Sequence, residues 1–121
     1  MNALQLQENL KKFTCIESCP VRNVVSRVTG KWAMLILCVL AENPATRFNM
    51  IGKALPDISP KVLSETLRNL ENSGLIDRHI YAEVPPKVEY SLTPVGQSLM
   101  PHINALAAWA IENFDTITKN R

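Results

Sequence analysis

From residue 59 the chain reads SPKVLSETLRNLENSGLI. Its leucines recur at spacings of four and three, so Leu63, Leu67 and Leu70 share one face of a helix, while Lys61, Ser64, Glu65 and Arg68 share the opposite one. Ser59 stands where an N-cap belongs, with Pro60 at the first helical position, and Gly74 supplies the stop. Downstream, residues 75–81 and 87–92 read as two strands. The stretch between them, Ala82-Glu83-Val84-Pro85-Pro86, contains two prolines that cannot donate to a ladder, which predicts a hairpin with a long tip.

Upstream, Pro20 opens PVRNVVSRV, with Val21, Val24, Val25 and Val28 at helical spacing and Gly30 as its stop. KWAMLILCVLAEN is almost wholly apolar and ends before Pro44, which predicts a helix at the centre of the core. In TRFNMIGKALPDI, the residues Phe48, Ile51, Ala54 and Leu55 predict a third short helix with a buried stripe and Met50 at its side. Thr93 with Pro94 starts a last helix, expected to run to about residue 117 with a bend at Pro101. Its stripe of Leu99, Ile103, Leu106, Ala110, Phe114 and Ile117 is close to heptad spacing and suits either its own domain or a twin. The first thirteen residues form a loose amphipathic arm with no strong cap.

The order of helix, helix, helix, capped helix, hairpin and long helix predicts a mainly α chain with a small β-hairpin wing, a winged helix-turn-helix in the α+β class. One domain over 1–121 is expected, with an N-terminal arm over 1–18 and a dimerisation helix over 94–118. The chain of 121 residues has room for one modest core and no roomy enzyme cleft. Its 13 basic and 11 acidic residues give a charge of only +2, so a nucleic-acid partner must be argued from local clustering. Residues 47–68 provide it, with Arg47, Lys53, Lys61 and Arg68 against Asp57 and Glu65. A helix with such a polar face fits the major groove, where Lys61 and Arg68 reach phosphates or guanine edges and Ser64 and Glu65 bond to bases. A merely solvated face is the competing reading.

The pieces Cys19-Pro20, Gly30-Lys31-Trp32, Arg47-Phe48, Ile58-Ser59, Leu70-Glu71, Gly74-Leu75 and Tyr90-Ser91-Leu92-Thr93 with Gly96 together resemble the HxlR family of bacterial winged-helix transcriptional regulators, relatives of the MarR type. The resemblance covers roughly residues 19–111. It implies a DNA-binding homodimer whose two capped helices enter successive major grooves. It assigns Ser59, Lys61, Ser64, Glu65 and Arg68 to the reading helix, Arg47 and Lys53 to supporting elements, and Arg78 and Lys87 to the wing. The wing tip AEVPPK departs from a strongly basic pattern, having one lysine beside Glu83. The stripe of Leu99, Ile103, Leu106, Ala110 and Phe114 is expected to hold that homodimer, because a lone domain would leave it partly exposed.

Three cysteines and no apolar export signal point to reduced thiols in a cytoplasmic protein. Cys38 lies in the apolar helix as a small hydrophobe. Cys19, directly before Pro20, falls at an N-cap where unpaired backbone donors favour a thiolate, with Arg22 one turn away and Glu17 opposing. Some members of the resembling family use this cysteine to sense oxidants or electrophiles, with others having no such duty; Cys15 is the candidate resolving partner. A helix cap alone remains the alternative. A zinc set from Cys15, Cys19, His79 and His102 lacks the short ligand spacing such sites use, so neither metal nor cofactor is expected. No phosphate loop, serine elbow or facing carboxylate pair suggests an enzyme. The readings left beside DNA recognition are a protein-binding winged helix and, further off, a thiol enzyme using Cys19; salt dependence of duplex binding separates the first.

Overall fold

The structure is a computed structural model that describes residues 2–5 and 20–119. In chain order the elements are α1 (Pro20–Val28), α2 (Lys31–Glu42), β1 (Thr46–Arg47), α3 (Phe48–Ala54), α4 (Pro60–Asn72), β2 (Ile76–Tyr81), β3 (Lys87–Leu92), α5 (Pro94–Glu112) and α6 (Phe114–Lys119). The expected mainly α chain with a hairpin wing is present. Of the N-terminal arm only residues 2–5 are described, with a helical turn over 3–5. Cys15, Glu17 and Cys19 lie outside the described residues, as does the side chain of Arg22.

Apolar content places α2 at the centre. Ile36, Leu37 and Leu40 are buried, and Ile51 of α3, Leu63, Leu67 and Leu70 of α4, and Ile76 of β2 close around them. The three leucines of α4 are each about 1% exposed. Burial of such side chains is worth about 1.5–3 kcal/mol apiece, so this face anchors the helix and turns its polar face outward.

The sheet is antiparallel in the order β1-β3-β2, with Thr46 opposite Tyr90 on one side and Arg78 opposite Tyr90 on the other. The two-residue β1 has no periodicity of its own; it is a strand because β3 offers it a free edge.

The structure revises three expectations. In α3 only Ile51 of the expected stripe is buried; Phe48 and Leu55 are half-buried and Ala54 is exposed, because seven residues present barely two turns to the core. The last helix passes through Pro101 and is interrupted at Asn113, so the segment expected as one helix over 94–118 is α5 and α6. The Asn113 side-chain amide donates to the Trp109 carbonyl at 2.9 Å, a local bond of the kind that competes with helix continuation. Cys38 is half-buried, not fully enclosed; burial, and then the charge of Glu42, pushes its thiol up.

Candidate nucleic-acid interface

Local chemistry fixes both ends of α4. At its start the Ser59 hydroxyl accepts from the Val62 amide at 3.2 Å, while Pro60 occupies the first turn where no donor is needed. At its end Gly74 has φ 75°, a left-handed conformation that lets the Leu75 amide reach back to the Leu70 carbonyl at 3.1 Å and the Gly74 amide to Glu71 at 3.0 Å. The chain thereby turns directly into β2.

Thr93 makes this turn a junction. Its hydroxyl donates to the Gly74 carbonyl at 2.6 Å and accepts from the Gly96 amide at 3.1 Å, and its own amide donates to the Leu75 carbonyl at 3.0 Å. One residue caps α5 and ties it to the end of α4. Two further contacts reach α4 from the α1–α2 corner. Arg27 donates from Nη1 to the Ser73 hydroxyl at 3.3 Å, and Lys31 lies 4.0 Å from Asp57 in the connector that precedes Ser59.

Between these supports Ser59, Lys61, Ser64, Glu65 and Arg68 are all exposed. Lys61, Glu65, Arg68 and Asn72 follow one another at spacings of four, three and four, so Asn72, which the sequence reading passed over, shares their face; Asn69 lies beside it, also exposed. Asn is a natural partner for adenine, and the spacing itself was the signal available in the sequence. Arg47 ends β1 and is exposed beside the wing tip, where it lines a groove with Pro86 and Lys87, whereas Lys53, in the last turn of α3 and also exposed, lines a groove with Pro60 at the start of α4.

On the other flank α4 and the wing form a cleft lined by Ser64, Arg68, Glu71, Asn72, Arg78 and Tyr90. Arg78 Nε stands 3.7 Å from Glu71 Oε1 there. Burial pushes the Tyr90 phenol up; Arg78 opposes that effect and Glu71 adds to it. Lys87 at the other end of the wing lies 3.4 Å from Glu89 and 5.0 Å from the Tyr81 ring centroid. Both wing cations named from the sequence thus stand beside carboxylates of their own chain.

The stripe on the last helix divides. Ile103 is buried and Leu99 half-buried against the chain's own core, whereas Leu106, Ala110 and Phe114 are exposed. Trp109, Ile111 and Ile117 are exposed with them. The α1 valines Val21, Val24 and Val25 are also exposed, at 40–58%. Among the described residues no cluster of three or more metal-ligating side chains occurs, and no helix is long and apolar enough to cross a membrane.

A capped helix with a bare polar face, set on a three-stranded wing and a central apolar helix, defines a winged helix-turn-helix DNA-binding protein. The profile of HxlR-like helix-turn-helix proteins matches residues 27–118, and the chain belongs to that family of transcriptional regulators. It is 46% identical over 91 residues to an HTH-type transcriptional regulator of Methanothermobacter thermautotrophicus, covering 75% of this chain and 69% of the relative. Among solved structures it is similar to the redox regulator HypR in its reduced form, with a TM-score of 0.77, 34% identity, and coverage of 83% of this chain and 98% of that one. Diamide-treated YodB from Bacillus subtilis follows the same fold at a TM-score of 0.67 and 34% identity, with coverage of 79% and 95%.

Proposed function

We propose that this regulator acts as a homodimer on a roughly palindromic duplex, and that modification of Cys19 alters its grip on that duplex. The observation that carries the DNA part is the bare polar face of α4. Ser59, Lys61, Ser64, Glu65 and Arg68 stand exposed on a helix whose other face is locked in the core. Lys61 and Arg68 are the main base and phosphate contacts, with Arg47 and Lys53 supporting them on the backbone. Arg78 and Lys87, which the resemblance assigns to the wing, each stand beside a carboxylate and are not counted among these contacts.

The exposed apolar band of Leu106, Ala110 and Phe114 supports the dimer, since a lone domain leaves it in water. Paired reading helices then require half-site centres about 34 Å apart. The thiol part is supported by the likeness to HypR, a redox regulator, and to YodB, which was solved after diamide treatment. Cys19 directly precedes the first residue of α1. An oxidant such as diamide takes two electrons and two protons from a pair of thiols, leaving a disulfide from Cys19 to Cys15 or to a partner subunit, which a reductant reverses.

The test is selection of bound fragments from random duplex DNA under reducing conditions, followed by salt titrations with Lys61→Ala and Arg68→Ala. Each variant should weaken binding by about 1–3 kcal/mol, roughly five- to a hundred-and-fiftyfold. If both bind as tightly as wild type at every salt concentration, α4 is not the reader. Diamide should change wild-type affinity and leave Cys19→Ser unaffected; equal effects on both would reduce Cys19 to a helix cap.

A further inference from the structure

Strand pairing decides which wing side chains look inward. Val88, Tyr90 and Leu92 of β3 pack against the core, so Lys87, Glu89 and Ser91 occupy the outer face of the sheet. Arg78 lies opposite Tyr90 and therefore on the inner face, aimed at α4, where Glu71 meets it at 3.7 Å. Glu89 lies in the middle strand opposite Arg47 on one side and His79 on the other, and it holds Lys87 at 3.4 Å. Its side chain is only 15% exposed. Over residues 76–92 two cations, Arg78 and Lys87, face three carboxylates, Asp77, Glu83 and Glu89, a net charge of −1. The reading segment 47–68, with four cations and two carboxylates, is +2.

A phosphate approaching Arg78 or Lys87 meets a carboxylate already beside the cation, whose charge opposes the incoming anion. Phosphate contacts are the sequence-independent part of DNA binding, and each one adds to the salt dependence. We propose that Glu71 and Glu89 are specificity-setting positioning residues: they hold the wing's two cations on the protein and so suppress non-specific attachment, leaving selectivity to α4. This rests on the DNA-binding reading and adds to it the source of discrimination between operator and bulk DNA.

The experiment is fluorescence anisotropy with a labelled duplex of random sequence, titrated between ~50 and ~200 mM salt. Glu71→Gln and Glu89→Gln, which keep the side-chain shape, should each bind it several-fold tighter and steepen the slope of log affinity against log salt by about 0.9. Arg78→Gln and Lys87→Gln should leave the wild-type slope unchanged, and the double variant Glu71→Gln with Arg78→Gln should fall back to it. Asp77→Asn removes a charge from the same strand at a site with no ion pair among the described residues, and should leave the slope unchanged. Circular dichroism confirms that each variant is folded. The inference is overturned if Glu71→Gln and Glu89→Gln keep the wild-type slope, if Asp77→Asn steepens it as much, or if Arg78→Gln and Lys87→Gln flatten it. A wild-type protein that binds no duplex at any salt concentration would instead remove the DNA reading, and this inference with it.

Discussion

Gly96→Ala is the sharpest probe of how α4 is held, because two principles give it opposite signs. In an exposed helix interior alanine is favoured over glycine by about 1 kcal/mol. At Gly96, however, a Cβ would be driven into the Leu75 carbonyl oxygen, far inside van der Waals contact, with the carbonyl carbon at 3.2 Å and Leu92 Cδ2 at 3.3 Å. The obstacle is backbone at the start of a sheet strand, and Leu75 is only 6% exposed, so α5 itself must lift away. Such overpacking costs about 1–3 kcal/mol. Lifting also stretches the bonds of Thr93 to Gly74 and Leu75, each worth about 0.5–1.5 kcal/mol. After the propensity gain the net loss is about 3 kcal/mol, a large share of a stability that for such a domain is on the order of 5–15 kcal/mol. Urea unfolding followed by circular dichroism, at matched protein concentration, should show the midpoint fall with little change in slope. Gly30→Ala is the control: a Cβ there meets nothing within 4 Å and φ is −63°, so its cost should stay below about 1 kcal/mol. A Gly96→Ala protein as stable as wild type would refute the claim that α5 is seated on the Gly74–Leu75 turn.

Leu106→Asp should convert the proposed dimer to monomers in analytical ultracentrifugation while leaving the fold intact, since Leu106 is 47% exposed on its own chain. A carboxylate in an apolar interface costs about 3 kcal/mol or more, at least a hundredfold in the dimer dissociation constant; an unchanged dimer would move the interface elsewhere. Iodoacetamide should label Cys38 more slowly than a free cysteine near neutral pH, because burial and Glu42 hold the thiol in its neutral form. The rate should climb with pH as the thiolate forms, and a rate matching free cysteine at pH 7 would contradict the assigned environment.

The parts legible in the sequence are those governed by local chemistry. Ser59, Pro60 and Gly74 bracket α4 because caps and stops act within a few residues, and Leu63, Leu67 and Leu70 pointed inward because the helical period leaves them no other choice. Both hairpin strands lie within one residue of expectation for the same reason. What stayed hidden depends on partners distant in the chain. Strand β1 exists only through its pairing with β3, and the inward aim of Arg78 follows from a register that places it opposite Tyr90. The stripe on α5 was visible as a stripe, but its division after Ile103 reflects where the core ends, which periodicity does not encode.

The contacts around α4 also bear on how a signal reaches the DNA. Its C-terminal turn is tied to α5 through Thr93 and to α1 through Arg27 and Ser73, and the connector before its N-terminus touches Lys31 at the start of α2. α1 and α5 also carry exposed apolar residues, Val21, Val24 and Val25 on one and Leu106 and Trp109 on the other. In the proposed dimer, whatever covers those residues would touch elements bonded directly to α4, the proposed reading helix. Individually these ties are weak, since the Lys31–Asp57 pair is largely exposed and such pairs contribute at most about 1 kcal/mol. That weakness suits a switch. Moving paired reading helices out of register with two major grooves needs only a small displacement, and a tie of this strength can be lost without unfolding the core formed by Ile36, Leu37 and Leu40.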